Sequence, residues 1–257
     1  MNWNIQRVAF ITIISKEVGR FMRIWRQTLL PPVITQSLYF IIFGGFIGSQ
    51  IRNINGVPYM EFIVPGLVMM AVITAAFTNV SFSFYAAKFM RNIDEILIAP
   101  VNPAVMLAGY VGGGIIRGLF TGITVFLVSL FFVRPDVHSF LVLFLFALLT
   151  SAVFSLAGFL NAVYSNSFDE VGVFTTFVLV PLTYLGGVFY PVTSLPPVWQ
   201  KIAQLNPIVF MVDGFRYGVT GAQEFSLLIN TGLLLVVLAI LIGVNLYVLK
   251  KGAGLKT

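Results

Sequence analysis

Long apolar runs separated by short polar connections dominate this sequence. A helix rises about 1.5 Å per residue, so about 20 apolar residues cross the ~30 Å hydrocarbon core of a bilayer. The pattern predicts six transmembrane helices, at about residues 28–50, 59–85, 104–133, 140–164, 171–190 and 227–249. We therefore expect an all-α integral membrane protein in which residues 1–257 form a single transmembrane domain.

Composition supports this class. Hydrophobic residues make up 58% of the chain and charged residues 9%, whereas soluble proteins have about 25% charged residues. The net charge is +6, but the basic residues lie scattered at the ends of apolar runs, so membrane topology explains them better than a nucleic-acid partner. The chain has no cysteine and one histidine, His138, which excludes thiol catalysis and a Cys/His zinc site.

The pattern of apolar and charged positions in residues 1–27 predicts an amphipathic helix that lies in the membrane interface. Five charged residues interrupt the apolar positions, so this stretch is not expected to be a cleavable signal peptide. At 100° per residue the cations Lys16, Arg20 and Arg23 lie opposite an apolar face, with Arg7 as the exception. That apolar face consists of Ile11, Ile14, Val18, Phe21 and Trp25. The cations would face acidic lipid.

The distribution of Lys and Arg predicts the orientation. One side of the six predicted spans carries ten of them: Arg7, Lys16, Arg20, Arg23, Arg26, Lys88, Arg91, Lys250, Lys251 and Lys256. The other side carries four: Arg52, Arg134, Lys201 and Arg216. By the positive-inside rule both termini are cytoplasmic, and residues 186–221 face outward.

The third predicted span combines small residues with a charge. Gly114, Gly118 and Gly122 are four residues apart, which makes one helix face smooth enough for close contact with another helix, either within one subunit or between subunits. Arg117 lies in the same span. It either snorkels to the inner boundary or contacts a substrate.

Residues 186–221 interrupt the apolar pattern between the last two predicted spans. Four prolines and the pair Gly186-Gly187 prevent one continuous helix. We expect two short helices at the membrane surface that partly re-enter it. The first would be capped by Ser194 and end at Asn206-Pro207. In the second, Asp213 and Arg216 are three residues apart and would form an ion pair.

This segment resembles the permease subunits of ABC-2 type ATP-driven exporters. The resemblance rests on a spaced set of residues: Gly187, Phe189, Tyr190, Pro191, Leu195, Pro196, Trp199, Asn206, Pro207, Asp213, Arg216 and Gly221. The resemblance implies that two short external re-entrant helices help to close the exit of a transport path. Candidate residues for that role are Tyr190, Pro191, Pro196, Trp199, Asn206, Pro207, Asp213 and Arg216.

The same resemblance gives a role to the connection from Ala86 to Pro103. In this family the connection supplies a coupling helix that docks into an ATPase, and Lys88, Arg91, Asp94 and Glu95 are the candidates here. The alternative is a solvated charged loop. Asp169 and Glu170, before the fifth span, would make a second contact. The elbow helix at residues 1–27 would anchor the chain at the membrane surface, touch the ATPase, or do both.

No phosphate-binding loop of the G-x-x-x-x-G-K-[ST] type occurs in the sequence. We therefore expect no cofactor on this chain, with ATP and Mg held by a separate ATPase subunit present in two copies. The resemblance implies a homodimer in a bacterial inner membrane that exports an amphipathic or lipid-like substrate, a drug or a glycan. Aromatic candidates for the path are Tyr39, Phe43, Phe174, Phe177 and Tyr184.

Two other classes remain as alternatives. An ion-gradient-driven secondary transporter would show helices broken at the midplane and buried carboxylates, whereas the break here lies near one surface. A membrane-embedded enzyme would need a catalytic cluster, for which His138 beside Asp136 is the candidate pair.

Overall fold

The computed structural model describes residues 3–48, 50, 53–54 and 56–252, and most of them are helical. Helix α1 covers Trp3–Arg23, and α2 (Trp25–Tyr39) continues into π-helical turns at Phe40–Ile47. Strands β1 (Asn53–Ile54) and β2 (Val57–Pro58) then pair antiparallel. Gly56, with φ of 83°, turns the chain back between them.

The rest of the described chain consists of nine helices and two shorter helical turns. The helices are α3 (Tyr59–Phe89), α4 (Asn92–Ile98), α5 (Pro103–Ser129), α6 (Phe140–Tyr164), α7 (Phe168–Phe174), α8 (Val180–Tyr184), α9 (Pro197–Gln204), α10 (Pro207–Thr220) and α11 (Leu227–Lys251). π-helical turns at Thr175–Leu179 join α7 to α8. A 3₁₀ turn at Val192–Ser194 precedes α9.

Five helical segments of the described chain are long and apolar enough to cross a membrane. They are Trp25–Ile47, Tyr59–Phe89, Pro103–Ser129, Phe140–Tyr164 and Leu227–Lys251. The prediction of an all-α membrane protein is confirmed at this level. Helix α6 has the predicted bounds, whereas α5 ends at Ser129 rather than at residue 133 because the chain turns at residues 130–132.

The fifth predicted span is a shorter segment than expected. Residues 168–184 are continuously helical. The segment begins three residues before the predicted start at residue 171 and ends six residues before the predicted end at residue 190. The π-helical turns lie just before Pro181, which has no N–H to donate to the preceding turn. After Tyr184 the chain turns, and Gly187 takes a φ of 71° that favours glycine. The predicted residues 185–190 therefore belong to the connection.

Helix α3 is the centre of the bundle. It is buried over most of its 31 residues, and it packs against α5, α6 and α10. Its fully buried apolar side chains form a core with residues of α6 and α10. Around it α2 and α11 expose many large apolar side chains, as expected of helices that face lipid.

Glycines of α5 allow this close packing on two faces. A Cβ at Gly114, Gly118 or Gly122 would meet α3 or α6; at Gly118 it would lie 2.7 Å from Ser151 Oγ and 3.1 Å from Ala76 Cβ. Gly109 and Gly113 face α1 instead, against Ile13 and Glu17. The structure therefore uses the glycine stripe for helix contacts inside one chain.

Helix α1 runs alongside α5 in the same direction. Gln6 bonds to Asn102, Ile13 lies against Gly109, and Glu17 lies against Gly113. The two residues of each pair are 96 positions apart in the sequence, as expected for two parallel helices. The buried face of α1 consists of Gln6, Ile13, Glu17 and Phe21. It differs from the predicted apolar face, of which Ile11 and Trp25 are exposed. The helix also ends at Arg23, so Trp25 begins α2.

Residues 186–221 contain the two predicted short helices, α9 and α10, with different details. Ser194 belongs to the 3₁₀ turn and does not cap α9, which begins at Pro197 without a side-chain cap. The predicted cap is wrong: Pro196 is extended and α9 begins at Pro197, so Ser194 lies three residues before the start of the helix. Asn206 caps α10 through its Oδ1, which accepts from the Ile208 N–H at 3.0 Å. Helix α10 is buried on nearly all sides between α3, α6 and α11.

We expect Gly118→Leu to destabilise the protein, because the added side chain must displace Ser151 and Ala76. Overpacking of this kind costs about 1–3 kcal/mol. Thermal unfolding in mild detergent measures the change. Gly243→Leu is the matched control, since Gly243 lies in α11 with nothing near its Cβ position. Equal midpoints for the two variants would contradict the close contact.

Candidate functional site

Asp213 organises one end of the bundle. Its carboxylate is buried (2% exposed) and accepts three hydrogen bonds. The donors are the backbone N–H of Glu224 at 2.8 Å, the backbone N–H of Phe225 at 3.0 Å and the Asn230 side chain at 2.9 Å. Asp213 therefore holds the connection between α10 and α11 against α10. We call this end of the bundle the motif end.

Arg216 lies beside Asp213 but binds other groups. Its guanidinium donates to the Gly187 carbonyl at 2.6 Å, lies 3.9 Å from the centre of the Phe62 ring and is 3.8 Å from the Glu224 carboxylate. The predicted ion pair between Asp213 and Arg216 is wrong: in the described structure Arg216 pairs with Glu224. The reason is that the Asp213 oxygens are occupied by the N–H groups of the next connection.

Glu224 is a functional candidate that the sequence analysis missed. Besides Arg216, its carboxylate accepts from the backbone N–H groups of Val192 and Thr193, at 3.2 and 3.1 Å. It therefore ties the 3₁₀ turn to α10. The available signal was chemical: Glu224 is the one acidic residue between α10 and α11 in the sequence, and a buried arginine needs a carboxylate partner.

The remaining motif residues fix the segment to its neighbours or face outward. The Asn206 amide donates to the Leu182 carbonyl at 2.6 Å. The Tyr190 hydroxyl donates to the Tyr184 carbonyl at 3.0 Å, and burial raises its pKa above the ordinary value. Trp199 is half exposed. Pro191 and Pro196 are extended residues, and Pro207 is the first residue of α10.

Three of the predicted path aromatics meet at the motif end. The Tyr39 and Tyr184 hydroxyls are 3.0 Å apart, and Tyr39, Phe43 and Tyr184 all contact the Phe189 ring, with centroid distances of 5.7, 4.5 and 5.9 Å. Phe174 and Phe177 lie elsewhere: Phe174 stacks on Phe77, and Phe177 is 74% exposed.

The opposite end, which we call the loop end, carries the predicted coupling segment. It forms α4 directly after α3, and the two are joined at Arg91, the one non-glycine residue with positive φ in the described ranges. Arg91 and Glu95 are exposed, and the Asp94 side chain lies outside the described atoms. Ile93 is buried, whereas Ile98 is 86% exposed.

Lys88 has a different environment from the one predicted. It is 7% exposed, and its ammonium donates to the carbonyls of Val163 and Ser165, at 2.8 and 3.0 Å. These carbonyls end α6, where a cation is favourable. Lys88 therefore fastens the start of the coupling segment to the end of α6.

Gln6 fastens the other end of the same segment. Its amide donates to the Pro100 carbonyl at 2.7 Å and accepts from the Asn102 N–H at 2.9 Å. Phe168 adds a third link, since its ring contacts those of Tyr85 and Phe89. The segment is thus joined to α1 and to residues 165–170, which places Asp169 and Glu170, both exposed, at the same end.

The elbow cations have separate environments. Lys16 and Arg23 are exposed, whereas Arg20 bonds to the Glu17 carboxylate at 3.0 Å and to Asn79 Oδ1 at 2.8 Å. Arg117 reaches the same Asn79 oxygen at 3.3 Å. Glu17 is fully buried and also accepts from Ser83. We call Glu17, Arg20, Asn79, Ser83 and Arg117 the elbow cluster.

Comparison with known proteins agrees with this layout. A family model described as "ABC-2 type transporter" matches residues 8–220. The chain is 54% identical over 250 residues to the inner membrane transport permease YadH of Escherichia coli K12, with 97% of this chain and 98% of that protein covered. It is also similar to nodulation protein J of Neorhizobium galegae, 21% identical over 225 residues with 87% and 86% covered. The family match spans both ends of the bundle.

We expect Asp213→Asn to destabilise the motif end. The amide would replace one accepting oxygen by an NH2 group that faces an N–H donor and would remove the negative charge, and a hydrogen bond to a charged group contributes about 1.5–3 kcal/mol. Thermal unfolding measures the loss, with Asp136→Asn as the control because Asp136 is exposed. An unchanged midpoint for Asp213→Asn would show that its three bonds are not needed.

We expect Gln6→Met to loosen residues 99–102 without unfolding the bundle. Methionine keeps the length of the side chain but removes two hydrogen bonds, at about 1 kcal/mol each. The two bonds sum to about 2 kcal/mol, so amide hydrogen exchange of this stretch should become roughly 30-fold faster. Gln27→Met is the control, because the Gln27 side chain is exposed. Unchanged exchange in Gln6→Met would contradict the proposed fastening.

Proposed function

The chain belongs to the ABC-2 type transporter family, and on this premise we propose that it is the membrane-spanning permease subunit of an ATP-driven exporter. A separate ATPase, in two copies, supplies the energy and holds ATP and Mg. This chain binds neither and performs transport rather than catalysis. By analogy with its relative in Escherichia coli, named an inner membrane transport permease, we place it in a bacterial inner membrane.

The observation that carries the proposal is the position of α4. Helix α3 has 31 residues, about 46 Å, which exceeds the ~30 Å hydrocarbon core by about 15 Å. With Tyr59 at the opposite boundary, α4 therefore projects beyond the membrane. There Phe89, Met90 and Ile98 are 64%, 66% and 86% exposed. Large apolar side chains that face water usually mark a protein contact, and an ATPase cleft fits this one.

The fastened ends of the segment support force transmission. Lys88 and Gln6 hold the two ends of the segment to α6 and α1, so a push on α4 moves these helices together. We propose that ATP binding closes the ATPase pair and that α4 and α1 pass this motion to the spans. Arg91, Asp94 and Glu95 would contact the ATPase, whereas Lys88 acts within this chain.

The path itself is proposed to lie between two copies of this chain. Six spans are half of the twelve usual in such exporters, if residues 168–184 serve as the fifth span. This segment exposes Thr176 and Tyr184, and α2 exposes Leu30 and Ile34. A second copy would cover these faces. The motif end would face outward, where α9 and α10 re-enter the membrane and close the exit. A weakly polar path favours an amphipathic or lipid-like substrate, a drug or a glycan.

The first test is to purify the chain in mild detergent after crosslinking and to identify proteins recovered in near-equal amount. We expect an ATPase with a phosphate-binding loop. Reconstituted with this chain in vesicles, it should hydrolyse ATP faster than alone. If no such ATPase is recovered and no ATP-dependent transport occurs in vesicles, the proposal fails and a gradient-driven transporter takes its place.

The second test is Glu95→Lys, which reverses an exposed charge on α4. A repulsive contact at the interface costs at least ~1.4 kcal/mol, or about tenfold in ATPase affinity. ATPase stimulation should fall accordingly, while the amount of folded chain in the membrane stays constant. Asp136→Lys, the same reversal away from α4, is the control. Normal stimulation with Glu95→Lys would remove α4 from the ATPase contact.

A further inference from the structure

The elbow cluster contains more positive than negative charge. Its two guanidinium groups, Arg20 and Arg117, face one carboxylate, Glu17. One Glu17 oxygen accepts from Ser83 and the other from Arg20, so both are engaged. Arg117 forms no salt bridge in the described part of the chain, and it donates to the neutral Asn79 Oδ1 at 3.3 Å. The cluster therefore holds one uncompensated positive charge.

The cluster also has more donors than acceptors. Arg20 Nε, Arg117 Nε and Asn79 Nδ2 are buried without a hydrogen-bond partner. Asn79 Oδ1 already serves both arginines. An uncompensated charge and unpaired donors are costly away from water. The group that would satisfy them is one that only accepts hydrogen bonds and carries negative charge.

The depth of the cluster identifies where this anion would come from. With Tyr59 at one membrane boundary, a ~30 Å crossing takes about 20 residues of α3 and ends near Asn79. Independently, the first apolar span begins at Trp25, one turn beyond Arg20. Arg26 lies over the Trp25 ring at 5.6 Å, an arrangement typical of the interface. Both arguments put the cluster near the boundary of the hydrocarbon core, next to the layer of lipid phosphates.

The cluster reaches the surface of the bundle at Arg20, whose side chain is 34% exposed. Ile116 and Phe120, on either side of Arg117 along α5, are 38% and 40% exposed. They would line the path of an acyl chain that leaves the site toward the membrane centre.

We propose that Arg20 and Arg117 bind the phosphate of an anionic phospholipid. The phosphate would lie against the exposed part of the Arg20 side chain and neutralise the second positive charge of the cluster. Forked guanidinium groups suit phosphate oxygens. The bound lipid joins α1 to α3 and α5 at the point where the elbow meets the spans. This site does not depend on the proposed transport function.

The test uses the full chain, purified in lipid-free detergent, with three probes: phosphatidylglycerol, phosphatidylcholine and inorganic phosphate. Native mass spectrometry counts retained lipid, and thermal unfolding measures stabilisation. We expect phosphatidylglycerol to be retained and to raise the midpoint, and phosphatidylcholine and free phosphate at the same concentration to do neither. Equal effects of the two lipids, or protection by free phosphate alone, would overturn the assignment to an anionic lipid.

Variants locate the site. Arg117→Gln and Arg20→Gln should each lower retention of phosphatidylglycerol about tenfold, as expected for losing a charge-assisted contact. Arg23→Gln, an exposed arginine on the same helix, should leave retention unchanged. If Arg117→Gln does not fold, Arg20→Gln decides. Equal retention in wild type, Arg20→Gln and Arg23→Gln would overturn the site.

Stability separates a binding site from a purely structural arginine. Without anionic lipid, Arg117→Gln removes an uncompensated charge and should unfold at or above the wild-type temperature. With phosphatidylglycerol the order should reverse, because only the wild type gains from the lipid. A variant that is equally less stable with and without the lipid would show that Arg117 serves the fold alone.

Discussion

The close approach of α5 to its neighbours is the constraint on which the rest of the structure depends. Gly114, Gly118 and Gly122 admit α3 and α6 on one face, while Gly109 and Gly113 admit α1 on another. In a bilayer, helix association relies on such packing because the hydrophobic effect between helices is weak. With α1 seated on α5, Glu17 reaches Ser83 and Gln6 reaches Pro100. The elbow cluster and the fastening of α4 therefore both follow from glycine positions.

Buried polar groups give the two ends of the bundle their shape. At the motif end Asp213 and Glu224 together accept five backbone or side-chain N–H groups, besides the ion pair with Arg216. Every carboxylate oxygen here is used, with two carboxylates facing one arginine. At the loop end Lys88 is likewise satisfied by two carbonyls. The elbow cluster differs because three of its buried N–H donors have no partner, and this contrast within one chain is what points to a ligand that accepts hydrogen bonds.

Much of the helical layout could be predicted, since a bilayer admits few alternatives. The bounds of α6 follow from its apolar run, and the break at residues 186–221 follows from proline and glycine chemistry. The hydrogen-bond and ion-pair partners of individual side chains could not be predicted in the same way. Asp213 and Arg216 have the right spacing for an ion pair on one helix. In the folded chain, however, Asp213 accepts from three N–H donors, and Arg216 forms its ion pair with Glu224. Lys88 was predicted as a candidate for the ATPase contact, because the sequence does not show that the end of α6 lies beside it. Glu17 looked like one polar residue among several on an interfacial helix, because its burial depends on Gly113, 96 positions away.

Helix α3 connects these polar sites mechanically. Near its start the Tyr59 hydroxyl donates to the Phe189 carbonyl at 3.2 Å, and Gly66 lies so close to Val188 that a Cβ would be 2.6 Å from its carbonyl oxygen. At the other end Asn79 belongs to the elbow cluster, and Lys88 fastens the segment that leads to α4. Helix α3 is continuous from Tyr59 to Phe89 although Pro65 lies inside it, and its packing against α5, α6 and α10 restricts its bending. Under the proposed function, a movement of α4 would therefore reach Phe189 through α3, and α1 with its proposed lipid would lie beside the same helix.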